Sequence, residues 1–161
     1  MTNIVEVKRR LEDARVCLES AERNLEIGDY RVAVQNAQLC VELSAKAVIS
    51  YFTEPHWTHN PKSQLLSVLD GRKLDISRSL GVQIINGLYQ IAEDAEEVAP
   101  WHMWSVYGRE MDEGLVPAAR LATKDVAIKL LESARRSFKI VQKFLKKIEE
   151  MQGTIEKGGG I

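Results

Sequence analysis

Two of the chain's three histidines, His56 and His59, lie three residues apart in the stretch EPHWTHNP at 54–61, just after Glu54. Imidazole and carboxylate are the groups that hold a divalent metal or move protons near neutral pH. Zinc takes three or four such ligands, and a histidine pair on a helix serves it best at i, i+4. Here the spacing is i, i+3 between prolines, His102 is 43 positions beyond His59, and Cys17 and Cys40 are distant in sequence. The stretch therefore reads as a corner joining two helices, with no metal assigned. Thr58, His59 or Asn60 can satisfy the open amides of the next helix, Pro61 suits its first turn, and Trp57 is expected to pack over the end of the helices. His59 is left able to touch a ligand.

Three other sets could bind an anion. Gln38, Glu42 and Lys46 step by four and form one ridge of a helix, with Glu before Lys in the favourable order. That ridge reads as a solvated or interface ion pair, or as a means of turning Lys46 toward a nucleotide phosphate. The stretch PWHMWSVYGRE at 100–110 gathers Trp101, His102, Trp104, Tyr107 and Arg109. Aromatics beside an arginine can stack on a base and hold a phosphate, or they can fill the end of a helical core. From Lys129 to Lys147 there are seven basic residues and one acidic residue, Glu132. Arg135, Lys139, Lys143 and Lys147 recur by four as a basic stripe, which suits phosphates or an acidic partner surface. The acidic run EDAEE at 93–97 of a second copy could be that surface; part of the bias is the ordinary preference for cations near a helix C-terminus. The candidate anion contacts are thus Lys46, His59, Tyr107, Arg109, Arg135, Lys139 and Lys143. No catalytic constellation stands out: no glycine-rich loop opens a helix, and there is no Ser/His/Asp pattern or paired carboxylate set.

The elements that must position these residues are helices. Ile4, Val7, Leu11, Ala14, Leu18, Ala21 and Leu25 form a continuous apolar stripe that ends at Gly28. Asp29 can cap a second helix, which carries Val34, Ala37, Val41, Ala45, Val48 and Phe52 and stops before Pro55. A short helix follows Pro61 and ends near Gly71. A third long stripe runs Leu80, Ile84, Leu88, Ile91, Ala95 and Val98 to Pro100. Residues 101–122 show no sustained period and read as a structured connection. Thr123 caps a last long helix through Ile148. No strand alternation competes with these periods, and no second copy supports a tetratricopeptide reading of GDYRVAVQNAQLCVELSAKAV. The expectation is an all-α, up-and-down antiparallel four-helix bundle with one additional short helix. The bundle spans residues 1–152, and a Gly-rich tail at 153–161 is expected to be disordered.

With 161 residues the chain can bury a core without disulfides or metal, and its net charge of −1 recruits neither nucleic acid nor membrane in bulk. No apolar run spans a bilayer and the N-terminus lacks a signal-peptide core, so a cytoplasmic protein with free thiols is expected.

Four pieces, in order, resemble the HEPN domain family (higher eukaryote and prokaryote nucleotide-binding). They are the first helix ending in GDY, the Ala/Glu/Lys-bearing AQLCVELSAKAVISYF, the Thr-His start of THNPKSQLLSVL, and YGREMDEGLVPAARLATKDVAIKLLESA with its loop Tyr, Pro and Thr-started helix. The resemblance implies an up-and-down bundle, usually dimeric, with prokaryotic relatives paired with a small nucleotidyltransferase subunit, sometimes as toxin–antitoxin modules. Two features depart from the family. Many relatives have an arginine immediately before the loop tyrosine, where Val106 stands here and Arg109 is the nearest. Ribonuclease members carry an arginine followed four to six residues later by a histidine, and none of His56, His59 or His102 has one.

The resulting reading is a non-catalytic binding domain, homodimeric, for a nucleotide, a polyanion or a nucleotidyltransferase partner, with no other cofactor. The apolar residues Val32, Leu39, Ile49 and Ile85 flank the main stripes and support a dimer face. A divergent HEPN ribonuclease toxin and a purely structural helical adaptor remain open alternatives.

Overall fold

The computed structural model describes residues 3–159 and is built almost wholly of helices. Helix α1 (Ile4–Glu26) and helix α2 (Tyr30–Phe52) form a hairpin. Its turn is set by Gly28 at φ 82°, a left-handed conformation that glycine adopts without strain. The Asp29 amide donates to the Asn24 carbonyl and the Gly28 amide to that of Leu25, which closes the end of α1. The Asp29 carboxylate then accepts the Val32 amide and opens α2. After the corner at 53–61 come α3 (Lys62–Asp70), α4 (Lys73–Leu80) and α5 (Val82–Val98). The chain continues through α6 (Trp101–Tyr107), strands β1 (Arg109–Met111) and β2 (Gly114–Val116), and α7 (Ala118–Leu121). It ends in α8 (Lys124–Gly158), capped as expected by the Thr123 hydroxyl accepting from the Val126 amide.

Helix α2 is the hub. It packs against α1, α8, α5, α6 and α3, while α8 also packs on α1 and α5. The stripe residues Val7, Leu11, Ala14, Leu18 and Ala21 of α1 face Val34, Ala37, Val41, Ala45 and Val48 of α2. With Leu88, Ile91, Leu131, Phe138 and Phe144 they make one continuous core. Alanines at the α1–α2 contact let the two backbones approach closely. The two thiols are free; that of Cys40 is buried, donates to the Ala134 carbonyl and is pushed up to about 12 by that burial, with the nearby Cys17 adding to the shift.

Several expectations change. Leu80 does not begin the third long helix: it closes α4, and Gly81 separates it from α5. In place of one additional short helix, the described residues contain four, α3, α4, α6 and α7. The unperiodic connection holds an antiparallel hairpin, with Arg109 opposite Val116 and Met111 opposite Gly114. The hairpin is largely exposed, so no face is buried to impose an alternating pattern. At its base a Cβ on Gly108 would come 2.3 Å from the Val116 carbonyl oxygen. Ile49 and Ile85 are buried in the core and leave no second apolar face there. The segment 153–158, expected to be disordered, continues α8, and the Thr154 hydroxyl donates to the Glu150 carbonyl. A helix that is already long adds one backbone bond per residue ordered, which offsets the cost of single glycines. Gly160 and Ile161, the rest of that tail, lie outside the described residues.

Leu18 is central in the α1 stripe and 8% exposed. Leu18→Ala should lower the unfolding free energy by about 2–5 kcal/mol, measured by urea denaturation. An unchanged midpoint would take Leu18 out of the core.

Candidate functional site

Midway along α2 a carboxylate is buried. Glu42 is 4% exposed and Gln38, one turn before it, is 1% exposed. Three donors surround the carboxylate: Lys46 Nζ at 2.8 Å, Gln38 Nε2 at 3.0 Å, and His59 Nδ1 at 3.3 Å. The Gln38 carbonyl oxygen lies 3.3 Å from His102 Nδ1. The rings of His59 and His102 stack face to face, 3.4 Å between centroids and 16° between planes. The expected solvated ridge is therefore an internal clamp, roofed by two imidazoles from opposite ends of a 43-residue interval.

Local structure explains how each imidazole arrives. Pro55 follows the end of α2, and Gln64 of α3 then pins the corner: its side chain accepts the His56 amide and donates to the Glu54 carbonyl, both at 2.8 Å. The Thr58 hydroxyl accepts the Asn60 amide, and Asn60 Oδ1 accepts that of Lys62 at the start of α3. This is the corner that the sequence predicts. Trp57 does not pack over the helix ends; it projects fully into solvent. Helix α6 restarts directly at Pro100, which has no amide hydrogen to satisfy. Its last turn is held to α2 by Arg31, which donates to the carbonyls of Ser105 and Val106, and by Gln35, which donates to that of Ser105. That docking carries His102 over Gln38.

Burial pushes the Glu42 carboxyl up. Hydrogen bonds from Lys46 and Gln38, and the charges of Lys46 and His59, outweigh it and hold the group below 4.5. Burial holds the His102 imidazole below 6.5; His59 and Lys46 push the same way, and Glu42 offsets them only in part. The site therefore presents an ionised carboxylate and a neutral His102 at pH 7.

The sequence-predicted residues divide into separate groups. Lys46 and His59 meet on Glu42. Tyr107 is exposed at the end of α6, and the Arg109 guanidinium sits 4.2 Å over the ring of Trp104, which packs edge-on against Trp101. Arg135 is paired with Glu22 of α1 at 3.0 Å, while Lys139 and Lys143 are exposed. The basic stripe belongs to another face. Cys40, which touches Ala134 of α8, stands roughly 160–200° around α2 from Gln38 and Glu42. The acidic run at 93–97 is occupied within the chain: Glu93 and Glu96 hold Lys62, and Glu97 holds Lys129. Asp94, 1% exposed, takes Arg136 through two bonds at 2.7 and 3.0 Å and the Ser137 hydroxyl at 3.2 Å.

Sequence reasoning missed the burial of Gln38 and Glu42, the arrival of His102 and the Asp94–Arg136 pair. One signal was present. Apolar residues surround the ridge on almost every side of α2, and a helix apolar all round is buried.

Glu42 and His102 both have folded values below their ordinary ones. Each therefore contributes stability that is complete above the unfolded value and lost as pH falls through the folded one. The urea midpoint should decline on acidification below about pH 6.5, and His102→Gln should remove that first decline. A second decline below about pH 4.5 should shrink in Glu42→Gln. A midpoint constant from pH 7 to 5.5 in the unaltered protein would contradict the assignment of His102.

A family model described as HEPN domain matches residues 7–151. No curated protein and no solved structure gave a match. The match spans α1 through most of α8, including the clamp and both of its histidines, and the chain belongs to the HEPN domain family.

Proposed function

We propose that this HEPN-family protein is a non-catalytic helical binding domain. In this reading it takes an anionic partner through α8, either a nucleotide or the acidic surface of a small nucleotidyltransferase subunit, in a toxin–antitoxin-like module. The observation that carries the reading is a groove of about 560 Å³ between α8 and the α4–α5 junction. Leu80, Val82 and Ile140 line it together with three lysines, Lys143, Lys146 and Lys147, and one acidic residue, Glu150. Lys139, Lys143, Lys146 and Lys147 make no ion pair among the described residues, so their charge is available to an outside anion. Lys46 differs in this respect, since its charge is already countered by Glu42.

The same reading takes the chain as a cytoplasmic homodimer of up-and-down four-helix bundles. The mutual packing of α1, α2, α5 and α8 supports the bundle. Met103, Val106, Tyr107, Met111 and Leu115 leave exposed apolar surface on α6 and the hairpin, which supports a dimer face. No helix among the described residues is long and apolar enough to cross a membrane.

A ribonuclease reading has one observation in its favour, the meeting of His59 and His102. Against it, the rings lie flat on each other and leave no room for a phosphate between them. Neither imidazole bonds an arginine among the described residues, and the nearby Lys46 is already paired with Glu42.

Changing Lys139, Lys143 and Lys147 together to Glu should keep the circular-dichroism spectrum. It should weaken binding of labelled RNA, of nucleotide or of a co-expressed nucleotidyltransferase by about tenfold or more at low salt. RNA should stay intact with the unaltered protein. Unchanged binding to all three would overturn the proposal, and cleavage abolished by His59→Ala or His102→Gln would favour the ribonuclease.

A further inference from the structure

We propose that Glu42, His59 and His102 form a binding site for a divalent metal ion of the zinc class, with a fourth position open to an anionic oxygen. One carboxylate oxygen and one nitrogen of each imidazole all lie within 4.8 Å of one another. Two ligand atoms held by one tetrahedral ion at about 2.1 Å stand about 3.4 Å apart. His59 Nδ1 and Glu42 Oε2 are already 3.3 Å apart. The ion would take the place of the proton between them, with His102 as the third ligand once the His59 ring turns toward it.

The rings of His59 and His102 are in face-to-face contact, 3.4 Å between centroids. The nitrogen lone pairs of stacked rings lie in two nearly parallel planes that do not meet at an ion, so one ring must rotate to converge on it. The His59 ring is 58% exposed and has the room to do so. Gln38, whose carbonyl oxygen faces His102 Nδ1, is placed to fix that ring's tautomer and orientation.

Two imidazoles and one carboxylate suit zinc, cobalt or nickel, whereas calcium and magnesium want oxygen ligands. Lys46 stays on the other carboxylate oxygen, Oε1. With the ion bound, Glu42 and Lys46 cancel and two positive charges remain. An anion in the fourth position balances them, so phosphate or carboxylate oxygen is the ligand class expected there. The metal site stands independently of the α8 groove, which lies elsewhere on the molecule.

The test uses the full-length protein stripped with a chelator and titrated with zinc by calorimetry and with cobalt by visible absorption. One ion per chain is expected, with the intense d–d bands of tetrahedral nitrogen–oxygen ligation. His59→Ala and His102→Gln should each weaken binding by at least about tenfold. His56→Ala and Cys17→Ser should bind as the unaltered protein does. Absence of stoichiometric zinc binding, a thiolate-to-cobalt charge-transfer band, or full affinity in His59→Ala would each overturn the proposal. His59 is largely exposed, so its variant decides the matter even if His102→Gln does not fold.

Discussion

A buried charge must be compensated where it lies, and the carboxylate of Glu42 imposes that condition on the whole of one face of the protein. An ionised carboxylate taken out of water is costly unless donors surround it. Lys46 and Gln38 come from the same helix at i+4 and i−4, so α2 alone supplies two of them. The third comes from the corner at 53–61, and the ring that stacks on it comes from α6. The corner geometry, the restart of the chain at Pro100 and the docking of α6 by Arg31 and Gln35 all serve to bring those two rings over one carboxylate. Removing one donor would leave a partly unpaired buried group, which costs more than the bond itself.

Asp94 plays the corresponding part between α5 and α8. Its bidentate arginine and the Ser137 hydroxyl fix the rotation of α8 about its axis, because Arg136 and Ser137 must face α5. With that rotation set, Lys143 and Lys147 line the groove between α8 and the α4–α5 junction, and Lys139 is exposed one turn before them. The acidic run at 93–97 is spent on Lys62, Lys129 and Arg136, which leaves Glu150 as the acidic residue beside three lysines along the groove. The molecule thus has one face where charge is internally balanced and roofed, and another where positive charge is left free. A ligand meets a different electrostatic environment on each.

Much of this was legible in the sequence. The stripes of α1, α2 and α8 were readable because each helix buries one face at a regular period. The Gly28 turn and the Asp29 and Thr123 caps were readable because their chemistry is local. Periodicity puts Leu80 in the third long helix because α4 and α5 share apolar spacing across Gly81, and a period does not register a one-residue break. The hairpin leaves no mark in the sequence because both strands are exposed. Gln38, Glu42 and Lys46 read as a set from their spacing, which carries no information about what covers them. His102 meets His59 only through the tertiary docking of α6, a relation between segments that no local pattern encodes.

Amide hydrogen exchange on Glu42→Gln tests most directly whether one buried carboxylate organises this face. The neutral amide keeps the size of the side chain but removes the charge that the three donors serve. If Glu42 is the organising group, protection at residues 56–60 and in α6 should fall together, while the α1–α2 turn around Gly28 keeps its protection. Unchanged protection at both the corner and α6 would contradict the account.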